Sequence, residues 1–88
     1  LFSGIIDRIV VLEEKIIAVD FKSNFLVPKM DKEVPNGLLR QMAIYFRCLE
    51  IIYPAKEINI AILWTKTSNL MFLDKILLKK CLQSVLNT

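Results

Sequence analysis

The chain has 88 residues, 55% of them hydrophobic and 24% charged, with a formal net charge of +3 and a pI near 9.0. This content excludes a disordered or low-complexity chain and allows one core rather than two, so residues 1–88 are read as a single domain. No uninterrupted apolar run approaches the ~18 residues of a membrane span, and the N-terminus lacks the charged, apolar and small-residue order of a signal peptide, so the expectation is a cytoplasmic protein with no membrane partner.

The segments Gly4 to Leu12 and Lys15 to Lys22 are rich in Ile and Val and are separated only by Glu13 and Glu14, which predicts a β-hairpin. Glu-Glu is a poor pair for a type I′ turn, since neither residue favours positive φ. A two-residue loop there pairs position i with position 27 minus i. The stretch from Ser23 to Pro35, with two prolines, is expected to be an exposed loop. From Asn36 or Gly37 to Ile52, Leu38, Leu39, Met42, Ala43, Tyr45, Phe46, Leu49 and Ile52 recur at spacings of three and four until Pro54, the pattern of a helix.

Glu57 to Thr65 predicts a strand apolar on both faces, Lys66 to Asn69 a turn, and Leu70 to Leu73 a short strand. Asp74 is placed to cap a last amphipathic helix ending near Leu86. The order strand, strand, helix, strand, strand, helix predicts an α/β fold with a mixed sheet, the crossover helix joining two parallel strands through a right-handed connection. Cys48 and Cys81 are far apart, and the chain has no His, which gives no support to a zinc site or a disulfide framework; both are expected as small buried residues. The basic balance suits a polyanion but is shared by many proteins that bind none.

The hairpin pairing sets Asp7 opposite Asp20, and period-two alternation puts Asp20 and Lys22 on the same face. Opposed residues on antiparallel strands have Cβ atoms roughly 4.5 to 5.5 Å apart, near enough for two carboxylates to grip one divalent ion. The surrounding strand residues Ile5, Ile6, Ile9, Ile17, Ala18, Val19 and Phe21 are apolar, so two bare anions there would repel and lose hydration, and something must compensate. Mg²⁺, for which Mn²⁺ can substitute, fits a ligand set of Asp7, Asp20 and the backbone carbonyl of Phe21. With Lys22 orienting water or stabilising developing charge, the reaction class that needs this set is phosphodiester hydrolysis. The alternative is an ordinary salt bridge of Asp7 with Arg8 or Lys22 in an unrelated small α/β domain.

Three segments, Gly4-Ile5-Ile6-Asp7-Arg8, then Ile17-Ala18-Val19-Asp20-Phe21-Lys22-Ser23-Asn24, then Gln41-Met42-Ala43-Ile44-Tyr45, resemble successive motifs of the PD-(D/E)XK nuclease superfamily, in particular nuclease domains of the RecB and AddA type. Each motif alone is weak; the series in this order is specific and spans nearly the whole chain, through Leu63-Trp64-Thr65. The resemblance implies a restriction-endonuclease-like mixed sheet and a Mg²⁺-dependent deoxyribonuclease, an exonuclease of a bacterial helicase-nuclease acting in recombinational double-strand break repair. It makes Asp7 and Asp20 metal ligands and Lys22 the catalytic lysine, and implies DNA and a second helicase-nuclease subunit as partners.

Gln41 and Tyr45, at i and i+4 on one helix face, would then reach toward the metal centre or the DNA backbone. Lys29, Lys32 and Arg40 would contact phosphate, although a merely solvated basic loop explains them equally well. The chain departs from the family in lacking the helix that precedes the first motif and carries a further acid or His. It therefore reads as a truncated, C-terminal part of a longer protein, which also accounts for its apolar excess. The runner-up function is a catalytically inactive module of the same fold that binds DNA or a partner.

Overall fold

In the computed structural model, residues 6–23 and 27–86 are described. Four strands, β1 (Arg8–Val11), β2 (Lys15–Lys22), β3 (Glu57–Trp64) and β4 (Asn69–Phe72), form one sheet in the order β1-β2-β3-β4. Two helices, α1 (Asn36–Ile52) and α2 (Lys75–Leu86), complete the α/β architecture. The outer pairs β1/β2 and β3/β4 are antiparallel and the central pair β2/β3 is parallel, because α1 carries the chain back to the end from which β2 started.

The hairpin register is Arg8 with Val19 through Val11 with Ile16, the 27-minus-i pairing that a two-residue loop demands. The first strand is shorter than the expected Gly4 to Leu12. Gly4 and Ile5 lie outside the described residues, and Ile6 and Asp7 are not in the ladder. Leu12 N–H donates to the Lys15 carbonyl at 2.9 Å, so alternate pairs back along the ribbon are hydrogen-bonded, and the next in line would be Ile6 with Phe21. Instead the Phe21 amide donates to Asp7 Oδ2 at 2.8 Å, and a side chain takes over where backbone pairing ends.

The long loop contains one turn of 3₁₀ helix at Asp31–Glu33, which the prolines had hidden. Asp74 caps α2 as expected: its Oδ1 accepts the Ile76 amide at 3.1 Å, and its own amide donates to Asp31 Oδ2 at 2.9 Å, which ties the loop to the start of α2.

Both helices lie on one face of the sheet. That face carries Ile16, Ala18 and Asp20 of β2, Ile58, Ile60, Ile62 and Trp64 of β3, and Met71 of β4, packed against Leu39, Met42, Ala43, Tyr45, Phe46 and Leu49 of α1 and Leu78 of α2. On the opposite face Val10, Phe21, Leu70 and Phe72 are exposed. The cysteines depart from expectation: both are free, Cys48 exposed and Cys81 half-buried, since Cys48 falls between the inward positions Phe46 and Leu49 and turns outward. Among the described residues no helix is long and apolar enough to cross a membrane.

Candidate metal centre

Asp20 and Lys22 stand at the carboxyl end of β2, beside the carboxyl end of the parallel strand β3, the edge of an open α/β sheet where ligands generally bind. One residue beyond the Arg8–Val19 pair, Asp7 comes against Asp20, on the face shared by Ala18 and Ile9. By the alternation of the ladder this is a position between hydrogen-bonded pairs, where opposed side chains approach most closely. The two carboxyl groups interact directly, each altering the other's hold on its proton.

Their environments differ. Asp20 is only 4% exposed, the one buried charged side chain among the described residues. Burial pushes its pKa above the ordinary carboxylate range, and sharing a proton with Asp7 pushes it the same way, while Lys22 opposes both. Asp7 is exposed; the Phe21 amide holds its pKa below the ordinary value, and Asp20 and Lys22 reinforce the effect. One carboxyl thus favours its proton and the other its charge.

Lys22 Nζ lies 3.1 Å from Asp20 Oδ2, with 31% of the lysine side chain exposed. The salt-bridge alternative named Asp7 as the paired acid; the lysine's ion pair is with Asp20, its neighbour on the same strand face, and Asp7 accepts the Phe21 amide. The ammonium is within ion-pair distance, yet Oδ2 of Asp20 makes no aligned hydrogen bond. A second such atom is nearby in the fold, Nε1 of the fully buried Trp64.

The residues present fit a hard divalent cation. Asp7 and Asp20 bring two interacting carboxyl groups to one edge of the sheet. The carbonyl of Lys22 accepts the Thr65 amide at 2.8 Å on the β3 side, so the carbonyl of Phe21, one residue earlier, faces the β1 side, the side on which the Phe21 amide meets Asp7. The Phe21 carbonyl therefore lies on the same side of β2 as the Asp7 carboxylate. Among the described residues there is no group of three or more His, Cys, Asp or Glu side chains, so a cation here would rely on that carbonyl and on water or substrate to complete its shell.

Gln41 and Tyr45 are brought together on α1, Gln41 Nε2 donating to the Tyr45 hydroxyl at 2.8 Å, but the tyrosine ring is part of the core. Arg40 is exposed and lines a small cleft with Asn36, Cys81 and Ser84, between the start of α1 and the last turns of α2. Lys29 and Lys32 are exposed in the loop before α1. Trp64 entered the sequence reading only as part of the Leu63-Trp64-Thr65 ending that the resemblance covers, with no role of its own; the β2/β3 register sets it beside Lys22.

Comparisons of the chain with protein-family models, with curated proteins and with solved structures find no match.

Proposed function

We propose that this chain is the metal-binding part of a PD-(D/E)XK-type nuclease that hydrolyses DNA phosphodiester bonds. The observation that carries the reading is the meeting of buried Asp20 with exposed Asp7 at one sheet edge, with Lys22 Nζ 3.1 Å from Asp20 Oδ2. Perturbed carboxyl groups with a nearby amine, gathered at one sheet edge, are what metal-assisted hydrolysis requires and what a purely structural site has little use for. The strand order and the motif series are compatible with a restriction-endonuclease-like domain of the RecB or AddA type, acting in the bacterial cytoplasm with a partner subunit in double-strand break repair.

In this reading Asp7, Asp20 and the Phe21 carbonyl hold Mg²⁺, which supplies Lewis acidity and charge neutralisation at the phosphate. Asp20 would serve as a ligand in its carboxylate form, the form that its burial disfavours in the metal-free protein. Lys22, released from Asp20, directs its ammonium to the attacking water or to the negative charge that builds on the phosphate oxygens. Gln41 at the start of α1 and the exposed Arg40 and Lys29 are candidates for backbone phosphate contacts that fix the register of the strand without reading its sequence.

Calorimetric titration with Mn²⁺ tests this directly: the wild-type chain binds the ion and Asp20→Ala does not. Absence of binding to the wild type at millimolar Mn²⁺ rejects the proposal.

A further inference from the structure

We propose that the Trp64 indole N–H holds an ordered water against Asp20 Oδ2, which makes Trp64 a positioning residue for that carboxylate. The water bridge rests on geometry alone; its consequence for metal binding rests on the function proposed above.

Two buried side-chain polar atoms among the described residues lack a hydrogen-bond partner, Asp20 Oδ2 and Trp64 Nε1. They are chemically complementary, since an indole nitrogen only donates and a carboxylate oxygen only accepts. They also share a location. Asp20 pairs with Ile62 and Lys22 with Trp64 across the parallel β2/β3 ladder, so Trp64 is the diagonal neighbour of Asp20 on the helix-covered face. A cross-strand step combined with a two-residue rise separates their backbones by about 8 Å. That is a span which one water molecule between an aspartate and a tryptophan side chain can bridge.

Trp64 is completely buried and Asp20 nearly so, and a buried tryptophan N–H ordinarily finds an acceptor. A buried water ordinarily has two to four polar partners; the indole N–H, Asp20 Oδ2 and Lys22 Nζ, itself 3.1 Å from that oxygen, would provide three. Such a bridge fixes the rotation of the Asp20 carboxyl about its last bond, and with it the direction its second oxygen offers toward Asp7. Groups that orient a ligand without touching the ion commonly change metal affinity by about 10- to 100-fold.

Trp64 is the only tryptophan of the chain, so its indole N–H gives a single side-chain signal in a proton–nitrogen correlation spectrum. In the metal-free protein that proton should show a rotating-frame cross-peak to a long-lived water, and its resonance should move in Asp20→Asn. Trp64→Phe, which keeps the ring and removes the donor, should retain the backbone spectrum and lose about 10-fold in Mn²⁺ affinity. An indole proton with no water contact and no response to Asp20→Asn overturns the proposal, as does Trp64→Phe with wild-type affinity. If the variant fails to fold, the wild-type spectrum still decides. A water contact in a protein that binds no Mn²⁺ upholds the bridge and rejects the nuclease reading instead.

Discussion

Lys22 reaches Asp20 from two residues along the same strand, its Nζ 3.1 Å from the buried oxygen, so β2 carries its own cation on the face where a metal would bind. The ammonium and a dication compete for one carboxylate. Lys22→Gln should therefore raise Mn²⁺ affinity severalfold while lowering DNA cleavage by about 10²- to 10³-fold, the cost of removing a group that stabilises developing charge. Titration and a cleavage assay on the same preparation separate the two; a fall in affinity would show that the lysine helps to hold the ion.

Asp20 is buried at a cost, so relieving it should help the fold. Asp20→Asn is expected to stabilise the metal-free protein at neutral pH, since burial disfavours the charged form that the amide cannot adopt. The same change should abolish the rise in melting temperature that Mn²⁺ brings to the wild type. A destabilised variant would indicate that the Asp20–Lys22 pair serves structure.

Asp7 has two tasks, and different substitutions separate them. Asp7→Asn keeps an oxygen for the Phe21 amide; Asp7→Ala does not. Hydrogen exchange at Phe21 should stay slow in the Asn variant and become fast in the Ala variant, whereas both should lose metal binding. Equal exchange rates would mean that the Asp7–Phe21 bond is not formed in solution.

The two aspartates push stability in opposite directions with pH. The pKa of Asp20 is raised on folding, mainly by burial, so its contribution is present in acid and is lost as pH rises through its folded-state pKa. That of Asp7 is lowered, mainly by the Phe21 amide, so its contribution is present above the ordinary carboxylate range and is lost as pH falls through its folded-state value. Urea unfolding of the wild type against Asp20→Asn should show the wild type losing ground from acid to neutral pH. Against Asp7→Asn it should lose ground in the reverse direction. Parallel curves would contradict the assigned shifts.

Asp74 joins α2 to the loop before α1. Asp74→Ala removes the cap on Ile76 and should cost about 1 kcal/mol in urea unfolding. A change within error would mean that the helix end is satisfied by water.

Local patterns carried most of this fold. The spacing of Leu39, Met42, Phe46 and Leu49 marks α1, and a two-residue loop between Ile-rich strands sets the Arg8–Val19 register. What local pattern missed depends on non-local packing or on side chains acting for backbone. β1 starts late, at Arg8, where the Asp7 carboxylate takes the Phe21 amide in place of a ladder bond, and Cys48 turns outward because its helix angle, not its residue type, decides burial. The meeting of Asp7 with Asp20 follows from hairpin arithmetic, whereas the Lys22–Trp64 adjacency needs the parallel register, which a crossover helix leaves undetermined in sequence. The choice of Asp20 as Lys22's partner needed burial as well, because proximity on paper offered the lysine two acids.

β1 is an edge strand of four residues, all exposed, bound to the sheet through β2 alone, and Asp7 precedes it. Asp20 belongs to the central, covered part of the same sheet. The two carboxylates thus sit on parts that open at different free energies, and peeling of the outer ribbon would separate them while the core stays intact. A ligand gripping both would act as a clasp on that ribbon, and its apparent affinity would be reduced by the fraction of time the clasp stands open.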